Sequence, residues 1–176
     1  MADTTITVAL GLATILGSGV VSGYVTHRLT RSQNQFVFLR EKAEALYLAA
    51  DEYGKRFSGQ MITYFPLLDG RYDYNDMLDK QNEFGSEPSK HGGAETMTMI
   101  VEIYFPSVRL ALQGVWDARA EFNKVTAAIR ALWERQGEVS GMDLQFRRAS
   151  MAVDEAIESL KDEVVRAARA KSGVKQ

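Results

Sequence analysis

The sequence predicts an all-α protein in which an N-terminal single transmembrane helix continues into an antiparallel three-helix, coiled-coil-like bundle. Three observations support this prediction. A stretch of 23 residues near the N-terminus carries no charge, and the apolar residues after it recur with alternating steps of three and four. Only 3 prolines occur in 176 residues, and glycine is concentrated in the uncharged stretch and in apparent turns. Such spacing and composition are typical of helices that bury one face.

The uncharged segment is 4–26, which follows a short outer tail, 1–3. As a helix it would be about 34 Å long, enough to cross a hydrocarbon core of about 30 Å. Nine residues are Ile, Leu or Val, but four Gly and seven Ser or Thr dilute them, so insertion is favoured without a wide margin. A buried helix of a soluble protein and a cleaved signal peptide are the alternatives. A signal peptide needs a positive leading region, and here only Asp3 precedes the segment.

Basic residues follow the segment directly, as His27, Arg28 and Arg31. The positive-inside rule then places the N-terminus outside and the C-terminal domain in the cytoplasm, at the cell membrane. These side chains either fix this topology or also contact anionic lipid headgroups. The lipid bilayer is therefore the first predicted partner.

Small residues line two stripes of the segment, at positions where membrane helices approach each other closely. Gly19 and Gly23 form one stripe, and Ala9, Ala13 and Gly17 form the other. They predict a homo-oligomer through the transmembrane helix, against the alternative that small residues are common in any span. A second route to a homo-oligomer is pairing of the bundle seams between chains as a coiled coil.

A juxtamembrane stem and the first bundle helix occupy 27–68. No Gly or Pro lies between Gly23 and Gly54, so we expect one continuous helix to carry the chain from the anchor into the bundle. Its apolar seam has heptad spacing and consists of Phe36, Leu39, Ala43, Leu46, Ala50, Tyr53 and Phe57.

An acidic loop is predicted at 69–93, with at most one helical turn near 74–82. Clustered carboxylates there could bind Ca²⁺, but Met77 stands where an EF-hand requires a ligand, and no Gly supplies the sharp turn. We therefore expect a solvated loop and no metal site.

The second bundle helix is predicted at 94–136. Its apolar seam consists of Val101, Tyr104, Val108, Ala111, Val115, Ala118, Phe122, Val125, Ile129 and Leu132. The seam keeps the alternating steps across Pro106, which predicts a kink there rather than a chain reversal. A turn at 137–141, a third helix at 142–171 and a frayed tail at 172–176 complete the chain. The apolar residues of the third helix are Met142, Phe146, Ala149, Val153, Ala156, Ile157, Leu160, Val164 and Ala167. In an up-down-up bundle the turn would lie at the membrane end and the acidic loop at the other end.

The tripeptide Tyr-Phe-Pro occurs twice, as Tyr64, Phe65 and Pro66 and again as Tyr104, Phe105 and Pro106. In a hairpin folded about residue 85 the two copies would face each other. Aromatic residues beside two bends could form a partner or ligand pocket, or could simply fill the core.

Composition narrows the function. The chain has no cysteine, which excludes disulfides, thiolate metal ligands and cysteine nucleophiles. Its net charge of −2 argues against nucleic-acid binding, and its two histidines lie in no catalytic or cofactor-binding arrangement. We expect a membrane-anchored helical-bundle interaction or scaffold protein without catalytic activity, which binds a protein partner of unknown identity.

Two other functions agree with the same features. One is a membrane-tethered sensor or regulatory module that binds a small ligand or ion near the paired Tyr-Phe-Pro segments. The other is an envelope-facing coiled-coil protein of the phage-lysis type, which would have the opposite topology.

Overall fold

The computed structural model describes the backbone of residues 2–85, 90–91 and 93–172, and most side chains from Arg28 onward. Every regular element in these ranges is helical, which confirms the all-α prediction. The helices are α1 (Ala2–Ile62), α2 (Tyr64–Leu68), α3 (Tyr74–Gly85), α4 (Gly93–Tyr104), α5 (Arg109–Gln136) and α6 (Asp143–Ser172). A short 3₁₀ turn, Pro106–Val108, precedes α5. The chain divides into two units, Met1–Arg40 and Glu41–Gln176.

The first unit contains only the leading part of α1. This helix continues without interruption to Ile62, as the lack of Gly and Pro between residues 23 and 54 predicts. In the part of the chain that the structure describes, every helix is too short or too polar to span a bilayer. The structure therefore does not support the transmembrane part of the prediction. The side chains of 4–26 and of His27 lie outside the described ones, and so does the predicted packing at Gly19, Gly23, Ala9, Ala13 and Gly17.

In the second unit, α5 runs in the same direction as α1. The ring of Trp116 lies 5.5 Å from that of Tyr53, and further along both helices Phe122 lies 4.8 Å from Phe57. An up-down-up bundle would have made these two helices antiparallel, so the predicted order is wrong.

Helix α6 runs in the opposite direction to α1 and packs along α5. Near its start, the ring of Phe146 lies 5.0 Å from that of Tyr64. Fifteen residues later, the ammonium group of Lys161 lies 3.3 Å from a carboxylate oxygen of Asp51. These two contacts fix the direction of α6, because Asp51 precedes Tyr64 in the chain.

Helix α4 is also antiparallel to α1. The backbone N–H groups of Lys90 and His91, just before α4, donate to the carboxylate of Glu52 at 2.8 and 2.7 Å. At the other end of α4, the ammonium group of Lys42 lies 5.8 Å from the centre of the Tyr104 ring. Since α5 is parallel to α1, the chain reverses its direction between α4 and α5.

The reversal takes place where a kink was predicted. Phe105 has φ −131° and ψ 56°, outside the helical region, and Pro106 begins the 3₁₀ turn. Proline disfavours the helical conformation of the residue before it, so the helix ends at Tyr104 instead of bending. The predicted kink is therefore replaced by a break.

This reversal changes which ends of the unit lie together. The Trp133 ring near the end of α5 stacks on Tyr74 at the start of α3, with 6.5 Å between the ring centres. Residues 137–140 and 67–73 line a common surface depression. The turn at 137–141 and the start of the acidic segment thus share one end of the unit, whereas the sequence predicted opposite ends.

The acidic segment holds a helix of 12 residues, α3, where a loop with one turn was predicted. The backbone N–H of Asp76 donates to the Asp73 carboxylate at 2.8 Å, and that of Asp73 donates to Asp76 at 3.0 Å. This reciprocal pair satisfies the first backbone donors of the helix, as in a capping box. Met77 follows it and is fully buried, which anchors α3 to the core.

The core of the second unit follows the predicted seams. Their most buried members are Ala43, Leu46, Ala50, Phe57, Val101, Val108, Val115, Phe122, Ile129, Phe146, Val153, Ile157, Leu160 and Val164. Each large aliphatic or aromatic side chain that is fully buried stabilises the fold by roughly 1.5–3 kcal/mol before entropy is subtracted. In the first unit, Phe36 of the same stripe is 40% exposed.

Candidate functional site

The first Tyr-Phe-Pro segment belongs to a closed aromatic cluster. Tyr64 packs against Phe122 and Phe146, with ring centres 6.4 and 5.0 Å apart, and Phe65 lies 5.6 Å from Phe146. Tyr64 is buried, and the Pro66 carbonyl accepts hydrogen bonds from the backbone of the next turn. The rings fill the space between α2, α5 and α6, so this segment packs the core.

The second Tyr-Phe-Pro segment lies elsewhere. Phe105 is fully buried, and the ammonium group of Lys171 lies 4.7 Å from its ring centre and donates to the Tyr104 carbonyl. Tyr104 contacts Lys42, which is 20 residues before the end of α1, or about 30 Å along the helix axis. The two segments are therefore far apart, and the structure does not form a pocket between them.

The remaining predicted residues show no ligand-binding arrangement. Arg28 and Arg31 are exposed on α1, in the first unit. Within the described ranges, no group of three His, Asp or Glu side chains could hold a metal ion. In the acidic segment, where a loop was predicted, Asp69 and Glu83 form ion pairs with neighbours in the same segment, Arg71 and Lys80.

A groove between α1 and α6 is the surface feature best suited to binding. It has a volume of about 530 Å³. Small residues of α1 form one wall, namely Gly54, Ser58 and Gly59, and Ile157 of α6 lies opposite. A methyl group added to Gly54 would meet Ile157 at 3.5 Å, which is ordinary contact, so the small residues bring the two helices close together.

One end of this groove is formed by a buried cation. Lys161, 8% exposed, donates to Glu158 at 2.9 Å and to Asp51 at 3.3 Å, and its ammonium group lies 5.0 Å from the ring centre of Tyr47. The hydrogen bond to Glu158 raises the pKa of Lys161 to about 12 against the opposing effect of burial, and the hydrogen bond to Asp51 adds a smaller increase. The lysine therefore remains charged and ties α6 to α1.

The middle of the groove carries an acidic group. Asp154 is half-buried there, and its pKa is raised by burial and by the neighbouring Glu158. No ion pair from the described residues reaches Asp154. A cation placed beside Asp154 and Glu158 would offset the repulsion between the two carboxylates and the unfavourable burial of the Asp154 charge.

The sequence did not reveal Arg119, which lies between α1 and α5. Its guanidinium group lies 5.0 Å from the Phe57 ring centre and 5.3 Å from that of Phe122, and it donates to Gln60 at 3.0 Å. Its Nη1 atom is buried without a hydrogen-bond partner. The sequence did contain one signal for Arg119, which stands three residues before the aromatic seam residue Phe122. Arginine often stacks on aromatic rings, so this spacing could have indicated the contact.

The groove thus combines room, small residues and an acidic centre, which suits a protein segment that presents a small or apolar surface and one basic side chain. No family model, curated protein or solved structure matches this chain.

Proposed function

We propose that the protein is a non-enzymatic, membrane-anchored interaction protein whose helical bundle docks a protein partner. The observation that carries the proposal is the uncharged segment 4–26 followed directly by His27, Arg28 and Arg31. Its length matches a bilayer core, and the basic flank favours the N-terminus outside and the bundle in the cytoplasm. Small residues at Gly19 and Gly23 would let two such helices pack closely in lipid.

The α1–α6 groove is the proposed docking surface. Its occupant is a helical or extended segment of a partner protein with a lysine or arginine beside Asp154. Charge complementarity at Asp154 supports this choice. The other two carboxylates of the groove, Asp51 and Glu158, pair with Lys55 and Lys161, whereas no ion pair from the described residues reaches Asp154. Ser58, with its small side chain, and Gly59, which has none, leave room for a backbone to approach.

The closed aromatic cluster also supports docking over ligand sensing. A sensor that used the Tyr-Phe-Pro segments would need them to share an open pocket, and they lie about 30 Å apart along α1. Tyr64 and Phe105 are both buried among side chains that fill the core.

Site-specific photo-crosslinking in native membranes tests the docking surface. A photoreactive residue at Ser58, in the groove, is compared with one at Asn123, which is exposed on α5. We expect one adduct at Ser58 that disappears when Asp154→Lys reverses the central charge. The same adduct at both positions, or an adduct that persists with Asp154→Lys, would exclude the groove.

Cysteine labelling tests the topology. The chain has no cysteine, so Gln145→Cys on the exposed side of α6 provides a single reactive site. An impermeant maleimide should label it only after the cells are permeabilised. Labelling in intact cells would contradict the cytoplasmic assignment and favour the envelope-facing alternative.

A further inference from the structure

The stem of α1, residues 28–40, carries large apolar side chains at the protein surface. Phe36 is 40% exposed and Val37 is 52% exposed. No charged residue lies between Arg31 and Arg40. A helix segment that is only solvated usually has charged residues on its surface, so this stretch resembles an interaction face.

The apolar stripe of the stem is in register with the core of the second unit. Phe36 and Leu39 continue the heptad spacing of Ala43, Leu46 and Ala50, which are buried under the other helices. Leu29 stands seven residues before Phe36, at the same register position. In the first unit, α1 is the only described element, so no other helix of that unit covers the stripe.

We infer that two copies of this chain associate in parallel through the stem, with Phe36 and Leu39 of one copy packed against the same residues of the other. The inference rests on the proposed function, because a common membrane anchor would hold the copies side by side and in the same orientation. Parallel alignment brings equivalent positions together, as in a two-stranded coiled coil.

The residues that flank the seam are compatible with this parallel pairing. In such a dimer, the residue just before Leu29 or Phe36 in one copy faces the residue five positions further along the chain in the other copy. Arg28 then faces Gln33, and Gln35 faces Arg40. Each pair joins a cation to a neutral amide, so no like charges oppose each other, and the amide oxygen can accept a hydrogen bond from the guanidinium group.

The size of the contact explains why the anchor is needed. The stem is about 20 Å long, and an aromatic side chain buries about 150–250 Å². Two or three seam residues therefore bury far less than the roughly 800 Å² per partner of a stable protein–protein interface. Confinement to the membrane raises the effective concentration and makes a small contact sufficient.

Disulfide cross-linking of the full chain in membranes tests the seam. Single cysteines are placed on the seam by Phe36→Cys and Leu39→Cys, and on the opposite face by Asn34→Cys and Phe38→Cys. After mild oxidation, the seam positions should give at least about five-fold more covalent dimer than the opposite positions, because parallel coiled coils bring equivalent seam positions together. Equal cross-linking at all four positions, or none, would overturn the inference.

A charge substitution provides the second test, in the Leu39→Cys background. Phe36→Glu would place two like charges in the seam and should reduce cross-linking about ten-fold, whereas Asn34→Glu on the opposite face should leave it unchanged. Unaltered thermal unfolding of the bundle shows that both variants fold. A Phe36→Glu protein that cross-links normally would also overturn the inference.

The same membrane samples distinguish this inference from the proposed function. Release of the protein by alkaline carbonate would contradict the membrane anchor, whatever the cross-linking pattern. A protein that stays in the membrane without a seam pattern would contradict only the self-association.

Discussion

At the scale of single residues, the buried and half-buried charges of α6 are the features that link stability to binding. Lys161 is fully engaged with Asp51 and Glu158, whereas Asp154, about two helical turns before it, has no ion-pair partner among the described residues. Removing one partner of a buried ion pair destabilises the fold because the other charge is left uncompensated, and an unpaired carboxylate in a groove costs stability. We therefore expect substitutions at these two residues to act in opposite directions.

Lys161→Met should destabilise the fold in a pH-dependent way. The folded-state pKa of about 12 lies above the ordinary value of 10.5, so the charged lysine stabilises the fold fully below pH 10.5 and progressively less as the pH rises to 12. One pKa unit corresponds to about 1.4 kcal/mol, so the lost stability is at most about 2 kcal/mol. Urea unfolding at pH 9 and pH 11.5 measures it. Lys55→Met, which removes an exposed lysine from Asp51, is the control, and an equal pH dependence in both variants would contradict the assignment.

Asp154→Asn should stabilise the fold slightly at pH 7 while weakening partner binding. Burial and Glu158 raise the pKa of Asp154, so its ionised form is disfavoured in the folded state, and removing the charge relieves this cost. The gain is limited to about 0.5 kcal/mol, as for other partly exposed positions. Thermal unfolding and the Ser58 photo-crosslink measure the two effects. Glu155→Gln, on the exposed side of α6, should change neither.

At the scale of elements, the sequence predicted which faces are buried better than it predicted how the chain turns. Leu46, Phe122 and Phe146 occupy the predicted seams because heptad spacing puts them on one helix face whatever the partner helix is. The same spacing could not predict the chain reversal at Phe105. Helices α4 and α5 each bury one stripe, and the alternating steps of three and four residues continue unchanged across the 3₁₀ turn between them.

The groove was equally hidden from the sequence. Gly54 and Ile157 lie about a hundred residues apart, and only the packing of α6 on α1 brings them together. Helix α3, in contrast, had a readable signal in the Asp73–Asp76 cap and the apolar Met77 after it. The turn-forming residues around it led to the prediction of a loop instead.

The end of α5 provides a paired test of backbone conformation. Gly137 ends the helix with φ +71°, a conformation that L-residues with a side chain rarely adopt, so Gly137→Ala should cost about 1 kcal/mol. Gly114 lies inside the same helix with no atom within 4 Å of an added methyl group, so Gly114→Ala should gain about 0.5–1 kcal/mol. Chemical unfolding of both variants measures the difference, and changes of the same sign would contradict the assigned cap.

The aromatic cluster provides a test of packing between elements. Phe146 is fully buried against Tyr64, Phe65 and Phe122, so Phe146→Ala should destabilise the bundle by about 3–5 kcal/mol. Leu144 lies on the same helix but is 59% exposed, and Leu144→Ala should change the stability by less than about 0.5 kcal/mol. A small loss for Phe146→Ala in chemical unfolding would mean that the cluster is not close-packed.

Taken as one molecule, the protein combines a proposed membrane anchor with a helical bundle. The second unit has a continuous core and a groove that contains Asp154, and the stem before it exposes Phe36, which is in register with that core. Both the groove and the stem would have a role in a chain that is anchored in a membrane. The anchor would localise the docking groove and would align two stems in parallel.

Membrane fractionation of the protein tests the proposed membrane anchor. Segment 4–26 carries no charge and is long enough to span a bilayer, so the protein should remain in the membrane pellet after washing with alkaline carbonate. A variant with Leu12→Arg and Leu16→Arg should be released, because each charge at the centre of a span costs about 2.5–3.5 kcal/mol. Recovery of the unmodified full-length protein in the carbonate supernatant would contradict the account.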